Sequence, residues 1–205
     1  MIVIIDYGLG NVNALYTVFK NLNIPVKISS SLSDLKNADK LILPGVGAYD
    51  YAMEKLNKSG IRDILNEQIL IKKKDILGIC VGMQMMAECS EEGQMDGLGW
   101  VKGDVLHFEH IKSDNKNMDI PHMGWNNITI NKENPLLAEL SNSSYFYFLH
   151  SYYFETHDNT NIVSTTKYGN HFVSTINKEN IFGVQFHPEK SHQSGVQLLK
   201  NFSEL

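Results

Sequence analysis

The stretch "DILGICVGMQMMAECSEE", Asp75 to Glu92, decides how this chain is read. An apolar run ends at Cys80, with Gly78 two residues before it and Gly82 two residues after it. The run Asp75–Cys80 has the continuous hydrophobicity of a strand covered on both faces. A helix is expected next, from about Gly82 to Cys89. The thiol therefore stands where a strand stops and a helix begins. Small flanking residues let such a turn close tightly around a nucleophile at its tip, as in a nucleophile elbow. The helix N-terminus points toward the sulfur, and the Val81 N–H is placed to bind an oxyanion. A buried small cysteine with packing glycines fits the pentapeptide alone equally well.

Outward from this turn, the first half of the chain alternates between two periods. "MIVIID" reads as a first strand, and Val12, Leu15, Tyr16, Phe19 and Leu22 then share one helical face. "PVKIS" is a second strand, "SLSDLKNA" a short helix capped by Ser31 or Ser33, and "KLILPG" a third strand. Helices near 48–56 and 61–71 precede the Asp75–Cys80 strand. Strands alternating with helices imply a parallel sheet. Between Trp100 and Phe186 the pattern changes to short β-like runs, "WVKGDVLHF", "NNITI", "YFYFLHSYYFE", "NIVSTTKY", "FVSTI" and "IFGVQF". Asn, Gly, Asp and Lys clusters separate them, which suggests antiparallel pairing. "SGVQLLKNF" closes the chain as an amphipathic helix, and His110 to Asp119 reads as the mobile loop.

Composition bounds the function. The 205 residues fit one domain spanning 1–205, with 42% hydrophobic and 20% charged residues and a net charge of −5. A basic nucleic-acid surface is not suggested, and no apolar run approaches the ~20 residues of a membrane helix. The N-terminal run lacks the basic start of a signal peptide. If Cys80 and Cys89 lie on one helix they are roughly 13 Å apart along its axis, beyond disulfide reach. Two free thiols point to a reducing cytoplasm. "GLGNVN" has Asn13 where a dinucleotide fingerprint needs glycine, and the eight histidines lack metal-ligand spacing. Neither cofactor nor metal is expected.

A thiolate nucleophile needs a base, and the base an orienting group. "GVQFHPEKS" supplies His187, Pro188 and Glu189 just after a strand. Proline fixes the backbone, and Glu189 can reach the imidazole. "LPGVGAYD" places Pro44-Gly45-Val46-Gly47 directly after another strand, where two glycines allow N–H groups to be exposed toward an oxyanion.

With these three pieces the chain resembles the class I (triad) glutamine amidotransferases. Within them it is similar to the glutaminase subunits of imidazole glycerol phosphate synthases of histidine biosynthesis. The matching residues are "DYGLGN" (6–11), "LPGVGAYD" (43–50), "GICVGMQMM" (78–86), "SEE" (90–92), "GLG" (97–99), "PHMGWN" (121–126), "YFLHSYY" (147–153) and "GVQFHPEKS" (183–191). They span nearly the whole chain. The resemblance implies an α/β, flavodoxin-like fold: a mostly parallel central sheet with flanking helices and an antiparallel portion in the second half. It implies a Cys80–His187–Glu189 triad that hydrolyses L-glutamine to glutamate and ammonia, with Val46 and Val81 N–H groups as oxyanion hole. The Val46 peptide reorients in such enzymes to complete that hole. Gly45, Gly47, Gln84, Glu92, Ser151 and Tyr152 match substrate-binding positions.

Ammonia released into neutral water becomes ammonium, and one domain has no room for a second active site. The resemblance therefore implies a heterodimer with a separate (β/α)8-barrel cyclase that makes imidazole glycerol phosphate and AICAR. Met123, Gly124, Trp125 and Asn126 are the candidate contacts. Two departures fall near that face: Asn117-Met118-Asp119-Ile120 lacks the basic residue common before "PHMGWN", and His107 stands where many relatives have arginine. They leave an alternative open, a paralogous glutaminase feeding ammonia to a sugar-amidating synthase of surface-polysaccharide biosynthesis. A non-catalytic regulatory or scaffold subunit on the same fold would lack a triad member or have a blocked oxyanion loop, and the sequence shows neither.

Overall fold

The computed structural model describes residues 1–111 and 118–205. Most of His110–Asp119, the expected mobile loop, lies outside the described residues.

The elements follow one another as β1 (Ile2–Ile5), α1 (Val12–Asn21), β2 (Val26–Ser29), α2 (Leu32–Asn37), β3 (Lys40–Gly45), α3 (Tyr49–Lys58), α4 (Arg62–Asn66) and β4 (Asp75–Cys80). A π-helical turn, Glu67–Ile71, continues α4. The second half holds α5 (Val81–Gln84), β5 (Cys89–Ser90), β6 (Gly103–His107), β7 (His122–Asn127), β8 (Thr129–Ile130), β9 (Tyr145–His150), β10 (Tyr152–Thr156), β11 (Ile162–Tyr168), β12 (Asn170–Lys178), β13 (Ile181–Val184) and α6 (His192–Glu204).

Eleven strands form one sheet in the order β2-β1-β3-β4-β13-β12-β10-β6-β5, with β11 pairing β12 and β8. From β2 to β13 the pairs are parallel, and from β13 through β12 and β10 to β6 they are antiparallel. All four residues of β1, and all but the first of β3 and β4, are buried, as strands covered on both faces require. Strands β7 and β9 form a separate antiparallel ribbon.

The structure corrects parts of the sequence reading. The helix after Cys80 is four residues long, not the expected run to Cys89. Cys89 instead lies on β5, paired with β6, so the estimate of its distance from Cys80 along one helix does not apply; both thiols are free. The run "YFYFLHSYYFE" is two strands in two different sheets, and Ser151 is the corner between them. Ser31 takes the N-cap position of α2 without a side-chain cap bond.

Candidate active site

Cys80 ends β4 with φ +54° and ψ −114°, a backbone conformation costly for a non-glycine residue. The surrounding glycines show what holds it. A Cβ on Gly82 would stand 2.0 Å from the Leu43 carbonyl oxygen, and one on Gly45 2.3 Å from the Gly82 nitrogen. A Cβ on Gly78 would come within 2.8 Å of the Gly82 oxygen. Strands β3 and β4, which pair Gly45 with Cys80, are thus pressed against the start of α5. This close packing over-determines the turn. The thiol is 3% exposed, with the Leu149 carbonyl at 3.9 Å and the Gln185 Nε2 at 3.8 Å.

His187 follows β13, which lies beside β4. Its N–H donates to the Tyr147 carbonyl at 2.9 Å, and its carbonyl accepts from the Ser191 hydroxyl at 2.6 Å. Its Nδ1 lies 3.0 Å from Glu189 Oε1, and both side chains are nearly fully buried. Helix α6 crosses this turn at Gly195, where a Cβ would stand 1.9 Å from the Pro188 oxygen. Burial opposes protonation of His187. The Cys80 side chain and the Glu189 carboxylate outweigh it and raise the imidazole to about 10. The shift favours the protonated form of His187 beside Cys80.

The turn Pro44–Gly47 faces the thiol. The Tyr7 hydroxyl donates to the Pro44 carbonyl at 2.6 Å and anchors the base of this turn. Gly47 has φ +85° and open space around it, so the tip beyond Gly45 is unconfined. Val81 is the first residue of α5.

A cavity of about 340 Å³ opens on Cys80 and His187. Its wall includes Val46, Gly47, Val81, Gln84, Glu92, Ser151 and Tyr152, so nearly every expected site residue converges here. Gly45 and Glu189 are the exceptions: Gly45 sits behind the wall against Gly82, and Glu189 sits behind His187. Gln84 is buried; its Nε2 donates to the Tyr152 carbonyl at 2.9 Å and to Gln185 Oε1 at 3.1 Å. Glu92 accepts the Tyr49 N–H of α3 at 2.9 Å. Burial raises the Glu92 carboxyl, with Asp50 adding to the rise, against the lowering by that bond. The arrangement offers a nucleophile, an acid–base imidazolium, an amide and a carboxylate around a space fit for a free amino acid.

Pro121, Leu149, His150 and Lys190 also line the cavity, and sequence reasoning assigns them no role. Each lies inside a quoted motif, and His150 ends β9 just before the corner at Ser151. Gln185, within "GVQFHPEKS", touches the sulfur and is missed in the same way.

Next to the cavity mouth, the β7–β9 ribbon exposes one apolar face. Met123 pairs with Leu149 and Trp125 with Tyr147 across the strands. Met123 is 66%, Tyr145 56% and Trp125 47% exposed. Trp125 stacks flat on His192 at 4.9 Å rather than entering the core. Asn126 and Gly124 lie on the same strand, Asn126 half-buried. Among the described residues no cluster of three His, Cys, Asp or Glu is arranged to hold a metal ion, and no helix is long and apolar enough to cross a membrane.

A family model described as glutamine amidotransferase class-I matches residues 3–204. The chain is 49% identical to an imidazole glycerol phosphate synthase subunit HisH of Leptospira borgpetersenii over 205 residues, all of both chains. It is 47% identical, again over the full length of both, to the subunit HisH 2 of Pseudomonas aeruginosa. Among solved structures, a glutamine amidotransferase superimposes with TM-score 0.75 at 16% identity, covering 99% of each chain. A chain of the PurLQS structure from Thermotoga maritima does so with TM-score 0.73 at 17% identity, covering 98% of this chain and 96% of that one. These two likenesses concern the fold.

Proposed function

The chain belongs to the class-I glutamine amidotransferases and, within them, to the HisH subunits of imidazole glycerol phosphate synthase; on that premise we propose how its residues work. It is an enzyme, a glutaminase subunit serving histidine biosynthesis, whose substrate is glutamine and whose partner is a cyclase. Cys80 Sγ attacks the side-chain amide carbon of L-glutamine. The developing oxyanion is held by the N–H groups of Val81 and of Val46, whose peptide turns toward it about the free Gly47. As the C–N bond breaks, the His187 imidazolium gives its proton to the nitrogen and ammonia leaves, with a glutamyl thioester on Cys80. His187, now neutral, takes a proton from water. The hydroxide attacks the thioester carbonyl, the C–S bond breaks, glutamate leaves, and Cys80 and His187 are restored for the next turnover. Glu189 holds the His187 tautomer. Gln84, Glu92, Ser151 and Tyr152 hold the amino-acid end of the substrate.

The observation that carries this reading is the meeting of Cys80 and His187, at the ends of the adjacent strands β4 and β13, at one cavity, with Glu189 behind the His187 ring at 3.0 Å. Ammonia passes to a (β/α)8-barrel cyclase seated on the apolar β7–β9 face, with Met123, Gly124, Trp125 and Asn126 among the contacts. The exposed free thiol of Cys89 suits a reducing cytoplasm.

The sequence departures at 117–120 and at His107, near the expected partner face, keep the sugar-amidating alternative in play. Glutamine hydrolysis by the chain alone, and then with the cyclase and its ribulosyl-formimino nucleotide, decides between them. Strong stimulation by cyclase plus nucleotide is the expected result. Absence of stimulation, with Cys80 still reactive toward a glutamine analogue, would assign the chain to a sugar-amidating partner.

A further inference from the structure

The ribbon that carries the apolar face has an inner side, and that side is polar in one line. His122 lies opposite His150 across β7 and β9. His122 Nδ1 and His150 Nε2 are 3.2 Å apart. His150 Nδ1 lies 2.8 Å from the Tyr152 carbonyl, the same oxygen that accepts from Gln84 Nε2. At the other end, Asn126 Nδ2 lies 3.3 Å from His122 Nε2 and 3.0 Å from the Lys167 carbonyl.

Backbone carbonyls terminate this line at both ends, and a carbonyl can only accept. His150 must therefore carry its proton on Nδ1, which leaves its Nε2 as the acceptor. His122 must then donate from Nδ1 and accept at Nε2. The Lys167 carbonyl independently requires that the Asn126 atom facing His122 is the amide nitrogen. Both ends dictate the same direction, provided the two rings are neutral. They are packed among Phe108, Phe148 and Phe172, with Tyr168 stacked on His122 at 4.0 Å. Burial lowers His122 to about 4. Burial, then the charge of His122, lowers His150 to about 3.

We propose that Asn126, His122 and His150 form a one-directional hydrogen-bond relay that positions the Tyr152 carbonyl and Gln84 in the substrate cavity from beneath the exposed face of β7. Both Gln84 amide hydrogens are taken, one by the Tyr152 carbonyl and one by Gln185 Oε1. Gln84 Oε1 is thereby fixed as the acceptor available to the substrate's ammonium group. Asn126 follows directly on the exposed Trp125, so whatever seats on that face bears on the strand where the relay starts. The assignment of Gln84 to substrate rests on the glutaminase reading. The relay itself does not, and the test separates the two.

Imidazole nitrogen NMR of the chain at pH 7 reads the tautomers directly. His122 and His150 are both expected as neutral rings protonated on Nδ1. A ring protonated on Nε2, or on both nitrogens, overturns the relay whether or not the protein hydrolyses glutamine. Steady-state glutaminase kinetics of the chain by itself, where the cyclase contact at Asn126 does not enter, then test what the relay does. Asn126→Leu and His122→Phe should each raise the KM for glutamine about tenfold, as for one lost hydrogen bond. The expected change in kcat is less than threefold, and the rate of Cys80 alkylation by iodoacetamide should be unchanged. The double variant should be no worse than His122→Phe alone, because Asn126 acts through His122. Multiplying effects in the double variant, or a KM within twofold of wild type for Asn126→Leu, would overturn the positioning role. The latter decides even if His122→Phe does not fold. Wild-type protein with the predicted tautomers but no glutamine hydrolysis would instead sink the glutaminase reading and leave the relay standing.

Discussion

The β3–β4 elbow and the β7–β9 ribbon meet at one cavity and are built on opposite principles. The elbow is apolar, buried and strained, and glycines hold it closed. The ribbon has one apolar exposed face and one buried face that carries His122 and His150 beside Phe146 and Phe148, as an antiparallel pair alternating in and out permits. Their histidines show the contrast. His187 faces a thiol and a carboxylate and is raised to about 10. His150, also on the cavity wall, sits among rings and carbonyls and is lowered to about 3. The same side chain is shifted up in one setting and down in the other, because a thiol and a carboxylate face it in the first and burial among rings dominates in the second.

The comparison breaks most severely at the thiol. Cys80→Ala should lower glutamine hydrolysis by at least about 10⁴-fold while ammonia-driven synthesis by the complex is retained. Glu189→Gln should lower kcat by roughly 10²–10⁴-fold, because the imidazolium loses its partner. Steady-state assays with glutamine and with ammonium salts separate these effects.

The strain of the elbow is probed by Gly82→Ala. Its Cβ meets a backbone carbonyl at 2.0 Å, which cannot rotate away. A loss of about 3 kcal/mol is expected in denaturant unfolding, at the upper end of ordinary overpacking costs. Gly47→Ala has only its positive φ against it and should cost about 1 kcal/mol.

Acid separates the two histidine sites by sign. His122 and His150 have folded pKa values below the unfolded 6.5. The folded state therefore binds fewer protons, and their contribution is present above pH 6.5 and lost as pH falls toward 4 and 3. His187 is shifted the other way, so its contribution is complete below 6.5 and lost as pH rises through about 10. Denaturant midpoints of His122→Phe should show a shallower fall between pH 6.5 and 4 than the wild type. The NMR titration of His187 in Cys80→Ala should move down from about 10, because the larger of its two raising partners is gone. The smallest effect is expected far from both regions. Lys73 and Glu179 form a 2.7 Å ion pair with both side chains more than half exposed, and Lys73→Ala should change stability by less than about 1 kcal/mol.

These regions also differ in how far the sequence discloses them. The elbow is local: continuous apolar strands, glycines at fixed spacing and a cysteine between them reveal the parallel sheet and single out Cys80 as the candidate nucleophile. "HPE" marks the partner histidine by the same local logic. The ribbon is not local. No periodicity announces that "YFYFLHSYYFE" leaves one sheet for another at Ser151, because both strands alternate alike and no glycine or proline intervenes. Register then decides that His122 meets His150, across 28 residues of sequence. The end of α5 is hidden for a similar reason. Met83, Met85 and Met86 are all buried in the core, and their apolar spacing reads equally as a long helix or as a short one followed by packed turns.

The two thiols separate a nucleophile that glutamine protects from a cysteine that is merely exposed. The protein is treated with the glutamine analogue 6-diazo-5-oxo-L-norleucine, digested, and mapped by mass spectrometry, with and without excess glutamine. A single adduct on Cys80, prevented by glutamine, with Cys89 unmodified, is the predicted result. Labelling of Cys89 in place of Cys80, or labelling of Cys80 that glutamine does not prevent, would contradict the account.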